Sequence, residues 1–181
     1  PAGMRAGGAF VKLFCDLHIH SALSPCGDMD MTPNNIVNMA LLKGLDAIAI
    51  TDHNAVANIP AVTECASKTP LIVIPGMELE TSEEAHFICL FPDFPAAQQF
   101  HQWLSGHFLP VDNRPEIFGE QVIFNAQDEI VGHEPHLLVT AASCSVYEAA
   151  PLVCSLGGVI YPAHVDKESY SVISNLGFVP P

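Results

Sequence analysis

Residues 14–27, FCDLHIHSALSPCG, place two histidines at the end of an apolar run, immediately before a turn rich in Ser, Pro and Gly. Successive side chains of a strand point to opposite faces, so Asp16, His18 and His20 are predicted to share one face. Two imidazoles beside a carboxylate could hold a metal ion. The same pattern could also be a polar strand edge in solvent, and this segment alone leaves both interpretations open.

Side chains that can bind metal ions also stand at the ends or starts of the other apolar runs. They are His18 and His20 after the first run, Asp52 and His53 after the second, Glu78 in the third, His86 in the fourth and His164 after the last. Strand ends converge in α/β folds, and sites form there. A shared metal site is therefore predicted. The remaining histidines fall outside this register and are predicted to be surface residues: His101, His107, His133 and His136.

The ligand types indicate which ions and which chemistry to expect. Imidazoles with carboxylates suit Zn²⁺, Mn²⁺ or Fe²⁺ better than Ca²⁺. A carboxylate such as Glu78 can bridge two ions, and two ions about 3.5–4 Å apart can clamp a phosphate and activate a water. No protein nucleophile is then required, and the sequence contains neither a G-x-S-x-G elbow nor a P-loop. Two or three divalent ions are predicted.

The elements that must position these residues are short apolar runs alternating with helical patterns, which predicts an α/β fold with a parallel sheet. The predicted strands are 9–19, 45–51, 70–79, 85–91 and 158–164, and the predicted helices are 32–44, 56–68, 95–108, 145–158 and 167–177. Thr32 is the expected N-cap of the first helix, with Pro33 at its first position and Gly44 as its stop. Ser145 and Glu148 predict a capping box.

Composition favours one domain over residues 11–181, with residues 1–10 as a leader or a remnant of cloning. Residues 110–136 are less regular and are predicted to be a surface insertion containing a hairpin that turns at 126–128. No apolar run approaches the roughly 18 residues of a membrane span. The six cysteines form no C-x-x-C pair, and Cys15, Cys89 and Cys154 are predicted to be buried, reduced thiols of a cytoplasmic protein.

Charge bears on the substrate. The chain has 20 acidic and 6 basic residues, for a formal charge of −14, and such a surface repels phosphate backbones. We therefore expect a small phosphorylated substrate and no strong nucleic-acid surface. The basic residues that could contact phosphate are Lys43, Arg114 and Lys167, and Lys167 is the best placed because it lies three residues after His164.

Five segments, DLHIHSALSPCG, AITDHN, GMELET, AHFICLF and GVIYPAH, resemble in order the motifs of the polymerase and histidinol phosphatase (PHP) superfamily, from about residue 14 to 166. The resemblance implies a distorted (β/α)7 barrel with up to three metals at the carboxyl ends of its strands. It also implies hydrolysis of phosphoesters. The family's closing Asp-x-His motif is not found after Asp166, so the C-terminal part of the barrel is expected to be missing from this chain.

Residue by residue, the resemblance implies three metal positions. His18, His20 and Glu78 would hold one ion, Glu78 would bridge to a second ion held by His86 and His164, and His53 would belong to a third site together with Cys26 or, alternatively, Asp28. A thiolate there would favour zinc or iron over manganese. Asp16 and Asp52 would orient imidazoles. Glu80 would be either solvated or a supporting group.

These residues support three functional hypotheses. The first is a phosphoesterase in which a metal-bridging hydroxide attacks a small phosphomonoester or a related phosphate ester, with Glu78 central to catalysis. The second is a non-catalytic metal-binding or regulatory PHP domain. The third is an amidohydrolase-like metallohydrolase, although no lysine stands at a suitable strand end. The sequence does not indicate an oligomeric state.

Overall fold

The computed structural model describes residues 12–180, so the predicted leader at 1–10 lies outside the described residues. Seven strands are present: β1 Cys15–Ile19, β2 Ala47–Ile50, β3 Ile72–Glu80, β4 His86–Leu90, β5 Val122–Phe124, β6 Ile130–His133 and β7 Val159–Pro162. The α-helices are α1 Pro33–Leu42, α2 Ile59–Ala66, α3 Phe94–Leu104, α4 Pro115–Phe118, α5 Val146–Ser155 and α6 Val172–Leu176. Within residues 12–180, no helix is both long and apolar enough to cross a membrane.

The main sheet has five strands in the order β1-β2-β3-β4-β7. The pairs β1–β2 and β2–β3 are parallel, as predicted, but β4 is antiparallel to both of its neighbours. The all-parallel expectation is wrong here because only residues 81–85 connect β3 to β4. A parallel crossover needs a dozen or more residues, so this short connection forces a hairpin.

The reversal of β4 determines where its histidine lies. Glu80, the last residue of β3, pairs with His86, the first residue of β4. Strand β7 is antiparallel to β4 and therefore runs in the same direction as β3. The residues that follow β7, including His164, consequently return to the same edge of the sheet. His86, at the start of β4, and His164, after β7, therefore lie at the same edge of the sheet.

The architecture is a mixed α/β fold whose sheet is curled like half a barrel. This agrees with the predicted class, whereas a count of seven barrel strands remains a prediction, because the main sheet in residues 12–180 has five. Strand β7 was expected to be buried but is an edge strand. Val159 and Tyr161 on it are 57% and 36% exposed.

Helices cover one face of the sheet and pack on its larger side chains. In β2, Ile48 and Ile50 belong to this helix-covered core, whereas Ala49 faces the inner side of the curled sheet. Phe100 of α3 and Val62 of α2 are fully buried in the same core. Burying side chains of this size is worth about 1.5–3 kcal/mol each, so this layer fixes the sheet that carries the site.

Local signals predicted the caps of α1 and α5, whereas the predicted helix 167–177 begins only at Val172. The Thr32 side chain accepts a hydrogen bond from the Asn35 amide, Pro33 is the first residue of α1, and Gly44 has φ +69°. At α5, the Glu148 carboxylate accepts from the Ser145 amide at 2.9 Å, which completes the predicted capping box. These predictions are confirmed because capping depends on residues only three positions apart.

The segment 110–136 contains the predicted hairpin, formed by β5 and β6 around a turn at Asp128, which has φ +58°. Its β5 side is buried: Val122 is 0% and Phe124 6% exposed. The Asn58 side chain donates to the Val122 carbonyl and accepts from the Phe124 amide, both at 2.9 Å. The Asp128 carboxylate accepts from the amide of Asn34 in the first turn of α1. The hairpin is therefore fastened to the domain.

Two of the cysteine predictions are wrong. Cys89 on the central strand β4 is buried, but Cys15 and Cys154 are exposed. Cys15 lies at the start of edge strand β1, and Cys154 lies in the last turn of α5. Apolar neighbours in sequence did not bury these thiols, because burial depends on what packs over each face.

Candidate metal centre

A buried carboxylate forms the middle of the site. Glu78 lies on β3 and is 1% exposed. Around it stand five histidines: His18, His20, His53, His86 and His164. An isolated buried carboxylate would be costly, so these imidazoles, or cations that they bind, must compensate its charge.

One oxygen of Glu78 is approached from β1. Its Oε2 lies 3.2 Å from His18 Nε2 and 3.0 Å from His20 Nε2, and these two nitrogens are 3.0 Å apart. The bulge in β1 and the turn after it bring both imidazoles to the same oxygen. His53 adds a third nitrogen, with Nδ1 3.4 Å from Oε2. The carboxylate oxygen and three imidazoles thus converge on one point.

The other oxygen is approached from β4 and from the residues after β7. Glu78 Oε1 lies 3.1 Å from His86 Nδ1 and 3.1 Å from His164 Nε2, with 3.2 Å between the two nitrogens. His86 Nε2 lies 3.6 Å from Glu80 Oε2. Glu80 is only 4% exposed, so of the two alternatives expected for it, a solvated side chain and a supporting group, the structure favours the supporting group.

These distances suit divalent metals. Nitrogen ligands about 2.0–2.1 Å from a tetrahedral zinc lie about 3.3 Å from one another, close to the separations on both sides of Glu78. In addition, His53 Nδ1 is buried and has no hydrogen-bond partner among the described residues. An unpartnered buried nitrogen facing a carboxylate is what a ligand atom looks like without its ion. The donor set therefore suits divalent metal ions on both sides of Glu78.

A third group of possible ligands contains His20, Cys26 and His53, with ligand atoms all within 4.8 Å of one another. Cys26 Sγ lies 3.8 Å from His20 Nδ1. A tight turn brings the thiol there, since a Cβ on Gly27 would lie 2.2 Å from the Ser21 carbonyl oxygen. The alternative, Asp28, is exposed, and its carboxylate accepts from a nearby backbone amide. Of the two alternatives, the structure brings Cys26 to the cluster.

The cluster strongly shifts the protonation of its members. Burial would raise the pKa of Glu78, but hydrogen bonds with His18, His20 and His86 hold it well below its usual range. Burial lowers the pKa of His53 to about 3. His53 is therefore neutral at neutral pH, which is the form that binds metal.

The pKa values of two other histidines are raised. Burial would lower the pKa of His20, but Cys26 and Glu78 outweigh it and raise the pKa to about 10. Similarly, Glu78 and Glu80 overcome the effect of burial and raise the pKa of His86 to about 9. Without metal, these imidazolium ions balance the carboxylates, and metals would have to displace their protons.

Asp52 acts on the cluster through a serine that the sequence analysis missed. The buried Asp52 carboxylate accepts from the Ser21 hydroxyl and from the Ser24 hydroxyl, both at 2.7 Å. Ser24 Oγ has then donated its only proton, so it accepts from the His53 amide and from His20 Nδ1, both at 3.0 Å. In the neutral form that binds metal, His20 therefore carries its proton on Nδ1 and turns Nε2 toward Glu78. The S-A-L-S spacing after His20 was the available signal.

Asp16 does not reach the imidazoles, contrary to expectation. It is exposed, accepts from the His18 amide at 3.3 Å, and lines a separate cavity beside α1 with Met31 and Lys43. The reason is the bulge between Asp16 and Ile19 in the pairing of β1 with β2, which interrupts strict alternation. Strand periodicity alone could not reveal it.

The cluster opens into a cavity of about 710 Å³, within the range of about 300–1,000 Å³ typical of ligand sites. Besides the metal-type residues, its wall contains Phe118, Val139, Lys167 and Tyr170. Lys167 is thus placed where it could meet a phosphate. The four histidines predicted to be surface residues do not line this cavity, although His101 and His136 line a different one.

The fold and the site together define a class of metal-dependent hydrolases. The PHP domain family model matches residues 16–165, and the chain belongs to this family. Members of the family include phosphoesterases and nucleases. The metal-binding prediction agrees with this membership, while the number and identity of the ions are not fixed by it.

Similarity to individual proteins is more limited. The chain is 40% identical over 75 residues to the 5′-3′ exoribonuclease Rnm of Salmonella typhimurium, a match that covers 40% of this chain and 25% of the relative. The chain thus spans about a quarter of that relative.

Solved structures support the fold. A Bifidobacterium adolescentis protein assigned to the metal-dependent phosphoesterases has a TM-score of 0.59 at 18% identity, covering 86% of this chain and 68% of that protein. The lesion-specific endonuclease EndoQ of Pyrococcus furiosus has a TM-score of 0.59 at 18% identity, and the match covers 93% of this chain and 40% of that protein.

The expectation of a small phosphorylated substrate without a nucleic-acid surface is wrong. The Salmonella relative is an exoribonuclease, and the structurally similar Pyrococcus protein is an endonuclease. The physical reason is that the net charge of −14 averages over the whole chain. Bound divalent ions set the local field at a metal site and can invert it.

Proposed function

We propose that this chain hydrolyses phosphodiester bonds of a nucleic acid in a reaction that depends on two or three divalent metal ions. The observation that carries the proposal is the position of Glu78, with each carboxylate oxygen about 3 Å from a different pair of imidazoles. This arrangement suits a carboxylate that bridges two ions. Ions bound there would supply an activated water and neutralise the charge that develops on phosphorus.

The residues of the chain would prepare the site for this reaction. Ser24, held by Asp52, would fix the tautomer of neutral His20 so that Nε2 faces the Glu78 carboxylate. Cys26 would favour zinc or iron at the third group. Lys167 on the cavity wall would contact a non-bridging phosphate oxygen. Bound ions would supply the local positive charge, which would allow an acidic chain to bind an anionic polymer.

Similarity to the exoribonuclease supports nucleic acid as the substrate class. The proposal predicts that the purified chain, loaded with Mn²⁺ or Zn²⁺, shortens an end-labelled single-stranded RNA. Glu78→Gln keeps the shape of the side chain but removes its charge. We expect a loss of more than about 100-fold, beyond the 10–100-fold typical of groups that only support ligands.

A matched control is Glu134→Gln, since Glu134 is a partly exposed glutamate beside His136 and outside the cluster. It should cleave RNA like the unaltered chain. A chain that binds two or more ions and hydrolyses neither RNA nor DNA would contradict the proposal. That result would favour the non-catalytic metal-binding hypothesis.

A further inference from the structure

Two aromatic rings on the wall of the metal cavity have no role in holding metals. Tyr170 stacks on the His86 ring with 5.0 Å between centroids and 25° between planes, yet the residue is 49% exposed. Its backbone is fixed, because the Tyr170 carbonyl accepts from the His86 amide at 3.0 Å. Phe118, the last residue of α4, is 36% exposed. Exposed rings beside a catalytic cavity are available to a planar ligand.

Each ring has a cation near it. The Arg114 guanidinium lies 5.9 Å from the centroid of the Phe118 ring. Lys167 lines the same cavity as Tyr170, three residues away in sequence. A flat apolar surface next to a positive charge suits a nucleotide, whose base can stack while its phosphate meets the cation. The chain has only 6 basic residues; one of them lines this cavity and a second lies beside the Phe118 ring.

We infer that Phe118 and Tyr170 are stacking platforms for the bases of a single-stranded nucleic acid next to its scissile phosphate. The inference rests on the proposed phosphodiesterase function and specifies how its substrate is held. A ring can stack only on an unpaired base, and stacking tolerates any base sequence. Duplex bases are covered by their neighbours, so a duplex could not use these rings without being opened.

The charge of the chain leads to the same choice. A protein that follows a duplex makes 6–10 phosphate contacts, and its affinity falls steeply with salt. Arg114 and Lys167 alone correspond to a slope of about −1.4 in a plot of log affinity against log salt for a single strand, and phosphate contacts with bound ions would add to it. Stacking would add to the affinity that the bound ions supply, at roughly 5- to 100-fold per base.

The test measures binding of the metal-loaded chain to short single-stranded RNAs with phosphorothioate linkages, which resist hydrolysis. Each RNA carries 2-aminopurine at one position, because its fluorescence falls when it stacks. A matched set carries an abasic site there. We expect quenching at one or two positions, and a dissociation constant raised about 5- to 100-fold by Tyr170→Ala or Phe118→Ala. Each variant should bind the RNA that is abasic at its own stacking position as tightly as the unaltered chain does.

Two controls separate stacking from damage to the site. Tyr170→Phe keeps the ring and should restore tight binding, and metal content should match the unaltered chain in every variant. Tyr147→Ala removes an exposed tyrosine on α5 and should change nothing. Phe118 lies on α4, outside the strands that carry the imidazoles, so it tests the inference even if Tyr170→Ala loses metal.

Equal binding of base-bearing and abasic RNA by the unaltered chain would overturn the inference, as would a salt slope steeper than about −4. Cleavage of ordinary RNA is measured in parallel. Cleavage without base-dependent binding refutes the stacking platforms and leaves the proposed function standing. Base-dependent binding without cleavage supports the platforms and refutes the proposed function.

Discussion

Two groups of histidines and glutamates in this chain have similar composition and very different geometry. Around Glu78, imidazole nitrogens lie within 3.0–3.2 Å of a carboxylate that is 1% exposed. At the second cavity, of about 340 Å³, His136 lies 3.4 Å from Glu134, but the side chains are 52% and 29% exposed. The first group is assembled from five separate strand regions. The second pair is two residues apart in sequence.

The difference shows that residue types alone do not make a metal site. A local pair in solvent keeps its water and has little reason to attract an ion. A buried carboxylate surrounded by imidazoles has lost its water and needs positive charge. Convergence of strand ends, rather than the number of histidines, separates the two regions.

The largest contrast should come from removing one imidazole in each region. His86→Ala should reduce bound metal by at least one ion per chain and lower RNA hydrolysis by more than about 100-fold, because it deletes a ligand and a partner of Glu78. His136→Ala should leave both unchanged. Metal content by inductively coupled plasma mass spectrometry and initial cleavage rates measure this contrast. Equal losses in the two variants would mean that the comparison is mistaken.

A smaller effect should follow from loosening the support of His20. Ser24→Ala removes the hydroxyl that joins Asp52 to His20 Nδ1, and metal affinity should fall about 10- to 100-fold. Ser24→Thr keeps the hydroxyl and should recover most of the affinity. Nitrogen chemical shifts of His20 in the zinc-bound protein should report a proton on Nδ1. A mixture of tautomers in the unaltered protein would contradict the assigned role.

Metal removal should affect stability through the first region only. At a free metal concentration 100-fold above the dissociation constant, binding stabilises the folded chain by about 2.7 kcal/mol. For a domain of this size that corresponds to a Tm about 5–10 °C lower after chelation. The Tm of the Glu134→Gln variant should fall by the same amount on chelation, whereas the Tm of the Glu78→Gln variant should hardly change. Differential scanning calorimetry with and without EDTA tests this expectation.

The smallest predicted signal is proton release. The pKa values of about 10 for His20 and about 9 for His86 mean that both are protonated in the metal-free protein at pH 7.5. Metal binding needs their neutral forms, so about one to two protons should leave and affinity should rise as pH increases toward 9–10. Titration calorimetry in buffers of different ionisation enthalpy counts the protons. Release of none would show that these imidazoles are not ligands.

Much of the site could be predicted from sequence because its residues fall at strand ends. His18, His20 and Glu78 were found by this register. The errors share a cause, which is that periodicity describes an ideal strand. A bulge moved Asp16 away from the imidazoles, and the short 81–85 connection reversed β4. Ser24 was missed because a serine in a turn gains its role only when Asp52 and His20 lie on either side.

By itself, the amino-acid sequence determined the caps of α1 and α5, the alternation of strands and helices, and the residue types that suit divalent metals, because these depend on neighbours a few positions apart. Tertiary structure decided which oxygen of Glu78 meets which imidazole, and that Cys26 rather than Asp28 joins the cluster. It also placed Phe118 and Tyr170 on one cavity, although 52 positions separate them in the chain. Such contacts depend on how strands pair and close, and no local pattern encodes that pairing.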